Sequence, residues 1–101
     1  MYNGSISGTG LTIGGTASAD RNIISGNTDS GIALIGVDNV EILGNYIGLG
    51  ADGTTDLGNG SVGITLSSST FINMGNGTSA GRNVISGNGN TGVGIDGGTN
   101  I

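Results

Sequence analysis

The sequence predicts an all-β fold: a right-handed, single-stranded parallel β-helix, a solenoid of about three and a half coils with three strands in each. Three observations predict it. First, the chain combines 24 Gly in 101 residues with 34% hydrophobic residues, Ile and Val prominent among them, and no Pro. β-branched residues alternating with Gly, Asn, Ser and Thr spell many short strands joined by tight turns. Second, residues 13–40 match residues 74–101 at a constant offset of 61, with 12 of 28 positions identical. Third, a Gly followed by apolar–x–apolar recurs inside that period at about 27 to 32 residues.

The elements follow in order. The first strand of each coil is Gly31-Ile32-Ala33-Leu34, Gly63-Ile64-Thr65-Leu66 and Gly92-Val93-Gly94-Ile95, with a weaker counterpart at Gly4-Ser5-Ile6. The second is Leu11-Thr12-Ile13, Val40-Glu41-Ile42 and Ile72-Asn73-Met74, and Ile101 opens another. The third is Asn22-Ile23-Ile24, Asn45-Tyr46-Ile47 and Asn83-Val84-Ile85. Alternation along a strand sends successive side chains to opposite faces. It predicts three interior columns: Ile6, Leu34, Leu66 and Ile95; Ile13, Ile42 and Met74; Ile24, Ile47 and Ile85. No coil buries such a column alone, so the core is shared between neighbours, and residues 1–101 read as one domain.

Corners carry the remaining pattern. Gly31, Gly63 and Gly92 precede the first strands, where a bend of positive φ is expected. Asn22, Asn45 and Asn83 form a column at the turn into the third strand, and Asn27 and Asn88 pair at the turn after it. Stacked Asn amides hydrogen-bond along the stack and satisfy backbone groups that turns leave free.

These strings, notably IGGTASADRNIISGN (13–27), GNYIGLGADGTTDLGNG (44–60) and RNVISGN (82–88), resemble the parallel β-helix repeats of the pectate-lyase-like superfold. The resemblance is to tandem-repeat secreted or surface proteins of prokaryotes, and it covers essentially the whole chain. It implies the fold and a secreted or cell-surface location, and it marks Asn22, Asn45 and Asn83 as a family-type ladder. It does not fix a function, because one scaffold carries lyases, hydrolases, adhesins and structural stalks.

Composition excludes several classes. A net charge of −5, from seven carboxylates against Arg21 and Arg82, disfavours nucleic acid and anionic membrane. No apolar run approaches the roughly 20 residues of a membrane span. The start at Met1 has neither the basic nor the apolar region of a signal peptide.

Chemistry is sparse. Lyases and hydrolases of the resembling fold use clustered carboxylates, whereas Asp20, Asp29, Asp38 and Asp96 fall in different turns and Glu41 stacks with Thr12 and Asn73. No catalytic constellation results, and the expectation is a non-enzyme. Arg21 and Arg82 read as repeat arginines that pair with nearby carboxylates or backbone carbonyls. The loop from Gly48 to Gly60 offers Asp52, Asp56 and Asn59 as hard oxygen ligands, a calcium site in one reading and a plain Asp-Gly turn in the other. Ile23, Tyr46 and Val84 form an outward apolar stripe that marks contact with another chain or a covering segment.

Neither end reads as a capping segment, so the chain is expected to be part of a longer β-helix or to pair head-to-tail with copies of itself. The leading expectation is a structural or adhesin-like extracellular solenoid, self-associating into a fibre or forming part of a stalk. The alternatives are a scaffold fragment of a polysaccharide lyase or glycoside hydrolase, and a calcium-dependent carbohydrate-binding module.

Overall fold

The computed structural model of the chain describes residues 3–5, as backbone, and 11–101. Ten strands follow one another: β1 Asn3–Ser5, β2 Leu11–Gly14, β3 Ile23–Ile24, β4 Ile32–Ile35, β5 Asp38–Leu43, β6 Tyr46–Ile47, β7 Ile64–Ser67, β8 Thr70–Met74, β9 Val84–Ile85 and β10 Val93–Asp96. One 3-10 turn, Ser18–Asp20, is the only helical element among the described residues.

Each strand pairs with the strand three places along the chain, always in parallel. This yields three sheets, ordered β1-β4-β7-β10, β2-β5-β8 and β3-β6-β9. Three consecutive strands, one per sheet, make a layer, and the layers stack. The molecule is thus all-β, with parallel strands in stacked sheets, consistent with a β-solenoid. The second sheet is extended at its edge by residues after β10, since the Phe71 and Ile72 amides donate to the carbonyls of Thr99 and Asn100 at 3.1 and 3.2 Å.

Register follows the aliphatic columns. Leu34 pairs with Leu66 and Leu66 with Ile95; Ile13 with Ile42 and Ile42 with Met74; Ile24 with Ile47 and Ile47 with Ile85. Ile32, Leu34, Ile42, Ile47, Ile64 and Leu66 are fully buried in one cluster with Val40 and Ile72. Each such side chain contributes about 1.5–3 kcal/mol by leaving water. Because the chain has three aromatics, this contribution comes almost wholly from Ile, Leu and Val stacked across layers.

Two expectations are corrected. Ile6 itself lies outside the described residues, but the register of β1 sets Gly4, not Ile6, opposite Leu34. The column before the first strands also has a different cause than positive φ, since Gly31, Gly63 and Gly92 are absent from the left-handed positions. At Gly63 a Cβ would stand 2.6 Å from the Gly92 carbonyl oxygen and 2.8 Å from both Asn88 Nδ2 and Ile85 Cγ2. Close approach of the next layer therefore excludes a side chain there.

Positive φ is found one corner further on. Asn39, Phe71 and Asn100 hold φ of 56, 54 and 57°, each at the entry to the second sheet. Asn tolerates this region because its short polar side chain can satisfy nearby backbone groups; Phe has no such compensation.

Candidate functional site

The polar side chains most fully engaged in hydrogen bonds form two ladders running across the layers. In the first, the backbone N–H and Nδ2 of Asn22 donate to Asn45 Oδ1, both at 3.1 Å. Asn45 repeats the pattern, donating from N and Nδ2 to Asn83 Oδ1 at 3.0 and 3.1 Å. The second hydrogen of the Asn45 amide goes backward to the Ile13 carbonyl at 3.0 Å, and Asn83 Nδ2 reaches the Ile42 carbonyl at 2.7 Å. Asn45 is fully buried, with both amide hydrogens donated and Oδ1 accepting twice.

The second ladder repeats this geometry with a member that spacing conceals. Asn27 donates from N and Nδ2 to Asn59 Oδ1 at 3.2 and 2.9 Å, and Asn59 donates in the same way to Asn88 Oδ1 at 3.0 and 2.8 Å. Asn59 Nδ2 also reaches the Ile24 carbonyl at 3.2 Å. The second ladder position follows the first by five residues at Asn27 and Asn88, but by fourteen at Asn59. The segment after Ile47 is an insertion between the two ladders. The signal that finds Asn59 is a dipeptide, Gly26-Asn27, Gly58-Asn59 and Gly87-Asn88, rather than a distance.

This placement shows how the three residues expected to hold calcium are already engaged. Asn59 faces the interior, is 1% exposed, and its Oδ1 accepts twice from Asn27. Asp52 is committed too. Its Oδ1 accepts from the Thr54 and Thr55 amides at 3.0 and 2.9 Å, and its Oδ2 accepts from the Thr55 hydroxyl. The Thr55 hydroxyl first, and then these amides, hold the Asp52 carboxyl well below the usual carboxylate range. Asp56 Oδ1 accepts from the Gly58 amide at 3.1 Å. Leu49 and Asp56 form an antiparallel bridge, so the insertion is a small hairpin with Leu49 buried beneath it. Among the described residues no three His, Cys, Asp or Glu side chains come together as a metal cluster.

The outward stripe is in register, Ile23 with Tyr46 and Tyr46 with Val84. Ile23 is exposed, while Tyr46 and Val84 are half-buried. The hairpin covers part of the stripe, since a Cβ on Gly53 would lie 3.1 Å from the Tyr46 ring. Arg21 stands over that ring, 4.2 Å from its centroid, and its Nε donates to the Gly44 carbonyl at 3.0 Å. Arg82 instead borders an open groove of about 370 Å³ above β9, with Met74, Asn83, Ile85 and Val93.

On the outer surface of the second sheet, Thr12, Glu41 and Asn73 stack in register and are all exposed. Beside them a shallow groove of about 150 Å³ is lined by Asn39, Val40, Glu41, Phe71 and Asn73. Phe71, which sequence patterning leaves unremarked, is 51% exposed. No helix among the described residues is long and apolar enough to cross a membrane. No family model, curated protein or solved structure matches this chain.

Proposed function

We propose that this chain is a structural element of a right-handed parallel β-solenoid, related in architecture to the pectate-lyase-like superfold, whose layers continue end-on into further coils, as part of a longer stalk or, for these residues alone, by association with a second copy. The observation that carries this reading is Ile95. It occupies the same interior column as Leu34 and Leu66, which are fully buried, yet it is 53% exposed because β10 is a sheet edge. An aliphatic column left open beside unpaired strand edges is a template for more chain of the same kind.

The ladders support the same reading. Among the described residues, the backbone N–H groups of Asn83 and Asn88 make no hydrogen bond, and neither do the Oδ1 atoms of Asn22 and Asn27. Among the described residues, each ladder thus ends in uncommitted donors on one side and uncommitted acceptors on the other, so like stacks on like. The groove above Ile85, bordered by Met74, Asn83 and Val93, has the place of one further short strand. A non-enzymatic stalk or adhesin role at a cell surface suits a chain whose buried polar side chains serve the stacking itself.

Size-exclusion chromatography with light scattering, and electron microscopy, test the reading on the intact chain. Mass is expected to rise with concentration toward dimers and end-on fibres, and Ile95→Lys is expected to hold the chain as a monomer. A wild-type chain that stays monomeric at every concentration overturns the proposal.

A further inference from the structure

We propose that Asn76-Gly77 is a self-modifying site, at which the Asn76 side chain deamidates through a cyclic imide while the ladder protects the other Asn-Gly pairs. Residues 11–101 contain three such pairs, Asn59-Gly60, Asn76-Gly77 and Asn88-Gly89; a fourth, Asn3-Gly4, lies outside the described side chains. By sequence the three are equivalent. Each sets a side-chain amide carbon beside the backbone nitrogen of a residue with no Cβ to hinder its approach. The fold makes them unequal.

At the two ladder positions both reacting groups are engaged. Asn59 is buried, with Oδ1 accepting twice from Asn27 and Nδ2 donating to Asn88 Oδ1 and the Ile24 carbonyl. The nitrogen that would attack it, that of Gly60, donates to the Asn27 carbonyl at 2.8 Å. Asn88 Oδ1 accepts twice from Asn59, and the Gly89 amide donates to the Asn59 carbonyl at 2.8 Å. Attack at either pair would break ladder and cross-layer bonds together.

Asn76 stands between β8 and β9, outside both ladders, and it is exposed together with Gly77. Among the described residues neither the Gly77 N–H nor Asn76 Nδ2 makes a hydrogen bond. Apart from chain neighbours, no atom lies within 4 Å of where a Gly77 Cβ would stand. Only Oδ1 of Asn76 is held, by the Thr78 amide at 3.1 Å and the Thr78 hydroxyl at 2.6 Å. These bonds fold the side chain forward over the Gly77 peptide. They also aim two donors at the oxygen that becomes negative when Cγ is attacked, which makes Thr78 a positioning residue.

The reaction needs this chain, base and water. Base removes the Gly77 amide proton, the nitrogen bonds to Asn76 Cγ, and the Cγ–Nδ2 bond breaks as Nδ2 takes a proton from water and leaves as ammonia. Water then opens the imide at either carbonyl, giving aspartate or isoaspartate; one water is consumed and one ammonia released. The product sets a carboxylate in the groove that Asn76 lines with Arg82, and makes the net charge of −5 one unit more negative.

Peptide-resolved mass spectrometry of the intact chain, aged in mildly alkaline buffer with and without urea, tests this. In the native chain Asn76 is expected to convert at least about tenfold faster than Asn59 and Asn88, which react only when their layers open. In urea the three rates should agree within about threefold, because the unfolded chain keeps no ladder. Thr78→Val is expected to slow Asn76 at least about threefold in the native chain but not in urea, and Thr78→Ser to restore the rate. Native conversion at Asn76 no faster than at Asn59 or Asn88 overturns the site, as does urea accelerating all three alike. A Thr78→Val chain that converts at the wild-type rate overturns the role given to Thr78.

Discussion

Asn59 hydrogen-bonds Asn88 at 2.8 Å through the same Nδ2-to-Oδ1 contact that joins Asn45 to Asn83 at 3.1 Å. The two contacts run side by side across the same pair of layers. A nine-residue hairpin separates Asn45 from Asn59 beyond the usual spacing, yet it leaves both ladders continuous. The insertion grows outward from a corner whose geometry the ladder fixes.

Asn45→Ala and Asn59→Ala are expected to cost about 2–4 kcal/mol each, because each removes a fully buried amide that hydrogen-bonds both adjoining layers. Loss of the Asn45 side chain removes its hydrogen bond to the Ile13 carbonyl and takes the acceptor from the Asn22 amide. Asn22→Ala, at an exposed ladder end, is expected to cost less than about 1 kcal/mol. Urea unfolding of the three variants measures the difference, and equal costs would show that the ladders do not couple the layers.

Gly63→Ala is expected to destabilise by about 1–3 kcal/mol, since its new methyl meets the Gly92 carbonyl and Asn88 amide of the next layer. Gly26→Ala provides the contrast. Its φ is 69° with nothing within 4 Å of the added carbon, so only the left-handed backbone opposes it, at about 1–2 kcal/mol. The crystal structure of Gly63→Ala should show a shifted Asn88 side chain, whereas Gly26→Ala should leave its neighbours in place.

Much of the fold was legible in the sequence, and particular residues show why. Leu34, Leu66 and Ile95 could be aligned because an interior column demands aliphatic residues at a fixed distance from the preceding Gly. Asn22, Asn45 and Asn83 could be aligned because their distance to the third strand does not vary. Asn59 escaped because a hairpin intervenes, and its oxygen then looked free for calcium. Gly31 and Gly63 were placed at the right corner for the wrong reason, because sequence does not distinguish a required φ from a close approach. Phe71 escaped altogether, since only the backbone shows that its neighbours across the sheets are Asn39 and Asn100.

Acid is expected to loosen the 48–60 hairpin late. The Thr55 hydroxyl and the Thr54 and Thr55 amides lower the Asp52 carboxyl from its ordinary value of 3.8 when folded. The stabilisation is therefore fully present above that value and is lost only as pH falls through the lower, folded one. Amide shifts of Thr54 and Thr55 should stay unchanged from pH 7 to about pH 4 and move only in stronger acid. Asp52→Asn should weaken the amide bonds throughout the pH range in which the Asp52 carboxyl is ionised. Movement of both amides near the ordinary value would contradict the arrangement.

Hydrogen exchange of β10 at two protein concentrations tests the stacking of layers most directly. In dilute solution the Val93–Asp96 amides should exchange at least about tenfold faster than those of Leu34, Ile42 and Leu66, because an edge layer opens without its neighbours. At high concentration the β10 amides should become protected as a further copy covers Ile95. Exchange at β10 that is as slow as at Leu34 when dilute, or that does not change on concentration, would contradict the account.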